Sequence, residues 1–311
     1  MQRILPRGEI EALDHNQLPR VVQPERATVF ASRAARLRQL APESPLSGYL
    51  LLMARLADAQ QQALAESTMP GASAQQLDLA QAHSMPPLQA VGWKRDPFWL
   101  AVQNAILNAI TSAPQGVPPE ALAVCEKIRG LMKDQPQAFE DLADALLAEQ
   151  DIDVDSAMAP FVMAALQVVW TDLASRFDAQ QLPVVSPFGV CPCCGGLPVA
   201  SVVRIGGQRE SYRYLSCALC STEWHLVRVT CSHCESTDGI AYHFIEGGSE
   251  AIKAESCDKC HTYRKIFYQE KDPYVEPVAD DLASLTLDML MGEEGYLRFS
   301  GNPLLWHSKE N

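Results

Sequence analysis

The chain has 311 residues, which is too long for one small core and indicates about two domains. Its hydrophobic fraction of 47% allows an ordinary globular core. The formal net charge of −13 argues against a protein that coats nucleic acid or anionic lipid, because both require clustered Lys and Arg. We therefore expect a soluble cytoplasmic protein, and we find neither an apolar leader nor a twin-arginine motif near the N-terminus.

The sequence predicts no membrane-spanning segment. A helix that crosses a bilayer needs roughly 18 or more apolar residues. The most apolar window, from Phe161 to Trp170, has only about ten and is typical of a core helix.

The first part of the chain, residues 1–182, is predicted to form an all-α domain. Its first helix follows Pro24 and places Phe30, Ala34 and Leu37 on one apolar stripe. The arginines of this helix lie mostly off that stripe: Arg33, Arg36 and Arg38. Further helical stripes begin near Leu46, Asp96, Pro118, Phe139 and Asp155, and the segment from Met69 to Met85 predicts a connector with a short helix. We interpret these stripes as packed helix faces rather than cofactor-binding surfaces.

Helical periodicity stops at Pro183, and short β-like runs follow. They are Val199 to Ile205, Tyr212 to Leu215, Trp224 to Val229, Ile240 to Ile245 and Arg264 to Tyr268. The Gly-Gly pairs at 206–207 and 247–248 lie where hairpin turns are expected. After Pro277 the pattern predicts one last helix, which begins at Asp280 and Asp281 and ends near Gly292.

Nine of the ten cysteines lie between Cys191 and Cys260, and eight of them form Cys-x-x-Cys pairs. The pairs are Cys191/Cys194, Cys217/Cys220, Cys231/Cys234 and Cys257/Cys260. Each cysteine of the first two pairs recurs 40 positions later in the last two, and Gly207 recurs as Gly247. This regularity indicates an internal duplication.

The spacing is typical of structural metal sites. Two cysteines separated by two residues place both sulfurs on one metal from a single tight turn, and a hairpin joins two such turns into a tetrahedral site. The repeat favours site 1 with Cys191, Cys194, Cys217 and Cys220, and site 2 with Cys231, Cys234, Cys257 and Cys260. The alternative, in which the two inner pairs form a small finger, leaves the outer pairs to close a longer loop. Four thiolates suit zinc and also a single iron ion.

Other candidate residues near these sites have weaker patterns. Cys193 is either a spare thiol or a reactive one, and Cys125 is expected in a helix core. The histidines at 225, 233, 243 and 261 are expected to be non-ligands, because each site already has four thiolates. Trp224 is expected to pack between the two metal units. The acidic pair Asp280/Asp281 is read as a helix N-terminal charge cluster rather than an acid–base dyad.

The predicted fold class is therefore α+β. It consists of an N-terminal all-α helical domain, two tandem rubredoxin-like or zinc-ribbon-like metal-binding units of four cysteines each, and a C-terminal helix. The predicted boundaries are 1–182 for the helical domain, 183–229 for the first ribbon, 230–272 for the second ribbon and 273–311 for the C-terminal helix and tail, which pack back on the body.

The residues around the cysteines resemble the formate dehydrogenase accessory protein family, FdhE. The resemblance rests on Cys191-Pro-x-Cys194-Gly, on Tyr214-Leu-Ser-Cys217 through Thr222-Glu223-Trp224-His225 to Cys234, on Ala254-Glu255-x-Cys257-Asp258-x-Cys260, on Ala279-Asp280-Asp281, and on Gly295-Tyr296-x-Arg298 through Leu305. It covers residues 185–305 closely and the helical part loosely. Cys193 departs from the family's ligand pattern.

The resemblance implies a cytoplasmic, non-enzymatic factor for the maturation of respiratory formate dehydrogenase. The implied partner is the catalytic subunit of that enzyme before its export, and the implied metal is rubredoxin-like iron, with zinc as the alternative. The resemblance assigns the eight paired cysteines to the metal and assigns no catalytic residue.

Two other functions remain open from the residues. An iron site that cycles electrons, or Cys193 as a reactive thiol, would make this a redox accessory protein. A zinc ribbon could also bind nucleic acid, with Tyr212, Tyr214, Tyr242 and Phe244 stacking on bases. Residues 186–270 carry eight Lys/Arg and nine Asp/Glu, and this balance disfavours nucleic acid.

Overall fold

The computed structural model of the protein describes residues 18–42, 44–67, 71–150, 155–176 and 178–306. Within these ranges one short strand and then a helical part precede the other strands of the sheet, and two helices and a short strand follow the last long strand. This order agrees with the predicted α+β class. The predictions for residues before 18 and after 306 lie outside the described residues.

The helical part contains every helix that the periodicity predicts. The helices are α1 (Val29–Leu40), α2 (Ser47–Glu66), α3 (Ala74–His83), α4 (Phe98–Ser112), α5 (Pro119–Asp134), α6 (Pro136–Leu147) and α7 (Ala159–Ala174). Proline at the first turn starts α5, α6 and α7, because its fixed φ suits that position and its missing N–H costs no helix hydrogen bond. Helix α3 begins with a capping box between Ser73 and Gln76.

Helix α7 is the centre of the hydrophobic core, and all of its residues are buried. With the turn before it, Ser156–Ala174 is long and apolar enough to cross a membrane by length and composition, and 94% of that window is buried inside the protein. The apolar stretch is therefore longer than the roughly ten residues predicted, and the prediction that it forms a core helix is confirmed. The burial explains the composition, since a helix surrounded by protein has no polar face.

The arginines of α1 are the clearest departure from the predicted helix faces. Arg33 and Arg36 are buried, whereas their positions predict a solvent-facing side. Arg33 Nε lies 3.0 Å from a Glu276 carboxylate oxygen, and Arg36 makes ion pairs with Asp272 and Asp280, both at 2.6 Å. Buried charges require such partners. These pairs join α1 to the chain segment that follows the sheet.

The sheet is continuous across both cysteine repeats. Its strands are β1 (Val21–Val22), β2 (Pro198–Val203), β3 (Arg213–Cys217), β4 (Glu223–His225), β5 (Ile240–His243), β6 (Ile252–Cys257), β7 (Thr262–Tyr268) and β8 (Leu297–Arg298). The strand order is β1-β4-β3-β2-β7-β6-β5, and β8 pairs with β7. Parallel pairing of β2 with β7, at Ser201 opposite Ile266, joins the two repeats. Each repeat therefore contributes one antiparallel meander to a single sheet.

The sequence patterns missed three strands and placed the other five. Strand β6 contains Lys253, Ala254 and Glu255, which are poor strand formers. It forms because β5 and β7 pair with it on its two sides. The two-residue strands β1 and β8 are too short for any periodicity. The Gly-Gly pairs lie in the β2–β3 and β5–β6 loops as predicted, and Gly206 and Gly247 have φ of 81° and 75°.

The predicted single helix after Pro277 is two helices, α8 (Pro277–Ala283) and α9 (Leu285–Glu293). The chain breaks at Ser284, where φ is −113° and ψ is 36°. Lys265 Nζ donates to the carbonyl oxygens of Asp281 and Ser284 at 2.8 and 3.1 Å. These carbonyls at the end of α8 thus bond to a buried lysine from the sheet instead of continuing a helix.

Candidate metal centres

The eight paired cysteines form two separate groups of four. In the first, Cys191 Sγ lies 3.6 Å from Cys220 Sγ, and Cys194 Sγ lies 3.4 Å from Cys217 Sγ. All four sulfurs lie within 4.8 Å of one another. This is the sequential grouping that the 40-residue repeat predicts.

The second group has the same arrangement. Cys231 Sγ lies 3.7 Å from Cys260 Sγ, and Cys234 Sγ lies 3.7 Å from Cys257 Sγ. The four sulfurs again lie within 4.8 Å of one another. The alternative grouping of Cys217/Cys220 with Cys231/Cys234 does not occur.

The tight turns that hold the sulfurs repeat their backbone hydrogen bonds. The amide of Cys191 donates to the carbonyl of Gly196 at 2.9 Å, and the amide of Cys231 donates to that of Ser236 at 2.8 Å. Positive φ values also recur 40 residues apart, at Gly195 (72°) and Glu235 (61°). Both turns therefore need a left-handed residue directly after the second cysteine, which glycine provides without steric cost.

A hydroxyl accompanies each group, and our reading of the sequence missed it. Thr222 Oγ1 lies 3.2 Å from Cys220 Sγ, and Thr262 Oγ1 lies 3.1 Å from Cys260 Sγ. A hydroxyl within hydrogen-bond distance of a ligand sulfur is the kind of outer-shell contact that orients a ligand and tunes a metal. The sequence does indicate these threonines, because Thr222 and Thr262 are separated by the same 40 residues as the equivalent cysteines.

The sulfur geometry fits a tetrahedral metal ion. A metal–sulfur bond of about 2.3 Å gives sulfur–sulfur edges of about 3.8 Å in a regular tetrahedron. The observed pairs at 3.4–3.7 Å are close to this edge. Burial raises the pKa of the Cys191 and Cys194 thiols well above the ordinary value, so a bound cation is what would hold them as thiolates. Each group could hold one metal ion, and the bound ion would crosslink two turns and stabilise the fold.

Site 1 is built into the main core. All four of its cysteines are buried and pack with residues of the helical part. The amides of Leu88 and Ala90 donate to the carbonyls of Cys193 and Cys194, both at 2.9 Å. On the opposite turn, Gln167 of α7 donates to the carbonyl of Ala218 at 2.6 Å. Site 1 therefore fastens the first ribbon to the helices.

Site 2 lies at the surface. Cys231 and Cys257 are buried, whereas Cys260 is half-buried and Cys234 is exposed. Its first turn is held by Arg264, whose Nε donates to Ser232 Oγ at 2.8 Å, and by the Phe188 amide, which donates to a Glu235 carboxylate oxygen at 2.8 Å. The identical spacing of the two repeats had given no reason to expect this difference.

Cys193 is buried beside site 1 but is not part of the four-sulfur group. Its thiol contacts Cys220 and Thr222, and its pKa is raised well above the ordinary value, chiefly by its contact with the Cys220 sulfur and by burial. Cys125 is buried in α5, as expected for a core residue.

The four histidines of this region have other neighbours, and within the described residues none belongs to either four-sulfur group. The His233 ring packs on Phe299 with a centroid distance of 3.8 Å, and His243 Nε2 lies 2.8 Å from Ser256 Oγ. His261 faces Tyr296, and His225 packs edge-on against Tyr212 and Tyr214.

Trp224 is buried and connects the two units through one intermediate segment. Its Nε1 donates to the carbonyl of Phe188 at 2.8 Å, and the Phe188 amide donates to a Glu235 carboxylate oxygen at 2.8 Å. Next to this point, a Cβ on Gly189 would lie 2.0 Å from the carbonyl oxygen of Ser232. Only glycine allows this close approach between the first ribbon and the turn of site 2.

The acidic pair is a structural anchor. Asp280 and Asp281 are fully buried in α8, where Asp280 faces Arg36 and Asp281 faces Lys265 and Arg298. Burial by itself would raise the pKa of Asp281, but Lys265 and Arg298 outweigh it and lower the pKa below the ordinary value. The reading as a helix N-terminal cluster omitted these ion pairs.

The chain is similar along nearly its whole length to known proteins. Residues 18–186 match the family model described as "FdhE, N-terminal", residues 190–228 match "FdhE, central domain", and residues 229–305 match "FdhE, C-terminal domain". Protein FdhE of Escherichia coli K12 and a protein FdhE homolog of Cronobacter sakazakii are each 40% identical over 311 residues, which span 98% of this chain and 97% of the relative.

A solved structure has the same fold. The crystal structure of the FdhE protein from Pseudomonas aeruginosa matches with a TM-score of 0.81 at 37% identity, and the match covers 92% of this chain and 99% of that one. Three family models, relatives of nearly equal length and a shared fold agree. The chain therefore belongs to the FdhE family of formate dehydrogenase accessory proteins.

Proposed function

We propose that this protein is a non-enzymatic factor that binds the catalytic subunit of respiratory formate dehydrogenase in the cytoplasm before export. Membership of an accessory family over nearly the whole chain is the observation that carries the proposal. The chemistry of the described residues supports it, because the buried acids and bases there are committed to ion pairs or hydrogen bonds that hold the fold. We propose neither nucleic acid nor the membrane interior as a partner.

The proposed binding surface includes the groove between α1 and the sheet. This cavity has a volume of about 960 Å³ and contains charged side chains of both signs. Its lining includes Arg33, Arg204, Arg209, Glu223, Glu276 and Tyr274. Arg209 is the accessible cation among them, with 38% of its side chain exposed and one ion pair to Glu223 at 3.7 Å. An open groove that carries charged side chains of both signs among apolar ones suits an extended segment of a partner protein.

Co-expression with a formate dehydrogenase catalytic subunit tests the proposal. We expect the tagged full-length protein to capture the immature subunit, and Arg209→Glu to lower the capture about tenfold by reversing a charge in the groove. Arg38→Glu is the matched control, because Arg38 is also an exposed arginine with one partner, Asp58, and it lies outside the groove. Failure of the unaltered protein to capture the subunit would refute the proposed function. Equal capture by the two variants would refute the groove as the binding surface.

We further propose that the eight cysteines hold two metal ions, with iron favoured by the family resemblance and zinc as the alternative. Four sulfurs at tetrahedral spacing accept either ion. Protein purified without added zinc should contain about two metal ions per chain by elemental analysis. Ferric iron would give visible sulfur-to-metal charge-transfer bands, and a colourless zinc protein would exclude electron transfer at these sites. Substantially less than one ion per chain would contradict the assignment of the sites.

The domain boundaries predicted above, with breaks near residues 182, 229 and 272, stay proposals. The shared sheet indicates that the two ribbons fold together, because β2 of the first pairs with β7 of the second.

A further inference from the structure

The two metal centres have the same donors and the same spacing but different access to solvent. Cys194 and Cys220 of site 1 are buried, whereas their counterparts 40 residues later, Cys234 and Cys260, are exposed and half-buried. The duplication makes this a matched comparison within one chain. A difference in behaviour between the sites must then come from what surrounds them.

The surroundings differ because the helical part covers only one of the two turns. The turn of site 1 accepts hydrogen bonds from Leu88 and Ala90, and its sulfurs pack in the main core. The corresponding turn of site 2 is contacted through Ser232 by Arg264, through His233 by Phe299 and through Glu235 by the Phe188 amide, and none of its cysteines packs in the cluster that contains the helices. Cys234 is exposed, although its sulfur lies in the four-sulfur group 3.7 Å from that of Cys257.

We propose that site 2 exchanges its metal with external thiolates through Cys234, while site 1 retains its metal for the lifetime of the fold. The incoming thiolate forms a sulfur–metal bond with its own electron pair, and the bond from Cys234 to the metal breaks. Cys234 leaves as a thiolate and takes a proton from water. Further external thiolates replace Cys231, Cys257 and Cys260 in the same way, so the ion leaves site 2 bound to external sulfur with its oxidation state unchanged. The ligand class is a soft thiolate, from a small thiol or from a cysteine of another protein.

Metal exchange at site 2 should be faster than at site 1 because the two metals differ in how easily a thiolate can reach them. An incoming thiolate reaches the site 2 metal without disturbing any packing, because one of its ligands is already at the surface. The same attack at site 1 requires the core around α7 to open, and local opening of a core has a free-energy cost close to that of global unfolding. The exchange rests on the proposed metal ions but is independent of the proposed protein partner, so failure to capture the formate dehydrogenase subunit would leave it unaffected.

The experiment uses the full chain loaded with natural zinc and challenged with an excess of isotopically enriched zinc chloride, with and without glutathione. Native mass spectrometry follows the exchange. We expect about half of the bound metal to exchange at least about tenfold faster than the rest, and the fast phase to accelerate with glutathione. One common rate for both ions would overturn the proposal, and so would a fast phase that does not respond to glutathione, since the ion would then leave unaided.

The site is assigned in the same experiment by two further measurements. Brief alkylation of the zinc-loaded protein with iodoacetamide, followed by peptide mapping, should label Cys234 at least about tenfold faster than Cys194. In Cys234→Ser the fast phase should disappear and the slow phase should remain. Preferential labelling of Cys194, or a persisting fast phase in Cys234→Ser, would refute the assignment. The measurements on unaltered protein keep the test valid if the variant does not fold.

Discussion

Replacing Cys194 by serine is expected to abolish folding of most of the chain, whereas the matched Cys234→Ser is expected to leave the helical part folded. A structural zinc ion contributes about 10–16 kcal/mol of apparent binding free energy in zinc-finger peptides, which is as large as the whole net stability of a typical domain, about 5–15 kcal/mol. Cys194 lies in the main core with the helices, and its loss would leave buried thiols without a metal.

Cys234 occupies the same place in the second repeat, but it is exposed. Loss of its ion should unfold the surface turns of site 2, around residues 231–236 and 257–260, and leave the helices folded, because the helices pack around the cysteines of site 1 and not those of site 2. Circular dichroism at 222 nm and elemental analysis of both variants measure the difference. We expect little helix and almost no metal in Cys194→Ser, and a normal helix content with about half of the metal in Cys234→Ser. An equal loss of helix and metal in the two variants would show that burial in the core does not make site 1 more important for folding than site 2.

Lys265→Met is expected to destabilise the protein by about 3–5 kcal/mol, because it removes one member of a buried ion network. Lys265 is fully buried, and its Nζ lies 3.4 Å from Asp281 and 2.6 Å from Asp288. Methionine keeps the length of the side chain but leaves Asp281 with one cation fewer. It also leaves the carbonyls of Asp281 and Ser284 without their donor.

The control is Lys271→Met, at an exposed lysine whose nearest carboxylates, Glu250 and Glu270, lie 3.9 and 3.8 Å away. Exposed pairs of this kind contribute little, so we expect a change below about 0.5 kcal/mol. Urea unfolding of the metal-loaded variants gives both free energies. A small effect at Lys265, similar to that at Lys271, would show that the buried network does not hold α8 and α9 on the sheet.

The ion pairs of Asp281 make the free energy of unfolding depend on pH, and the pKa of Asp281 gives the direction of that dependence. The pKa of Asp281 is lowered in the folded protein, so this group stabilises the fold above the pKa of the unfolded chain. That contribution should be lost as the pH falls through the ordinary carboxyl range towards the lowered value. Lys265→Met should reduce it, since Lys265 is the first of the cations that lower the pKa of Asp281.

Local patterns predicted most of the helices and the composition of both four-cysteine groups. The stripes of α4, α5 and α6 were visible because a helix packed on one side repeats its apolar residues every three or four positions. The stripe of α1 did not reveal that Arg33 and Arg36 are buried. The acids that neutralise these two arginines, Glu276 and Asp280, come more than two hundred residues later in the chain. Strand β6 was missed for a similar reason, since its pairing with β5 and β7 overrides a composition of Lys, Ala and Glu.

The sequence by itself determined which eight cysteines come together. Each pair is a local turn, the two turns of a site are joined by one short hairpin, and the 40-residue repeat makes the sequential grouping the simplest one. Tertiary structure alone decided that site 1 is enclosed and site 2 is open. Both repeats encode the same turn, but helix α7 and the segment around Leu88 and Ala90 cover only the first, and burial depends on such distant packing rather than on the spacing of the ligands.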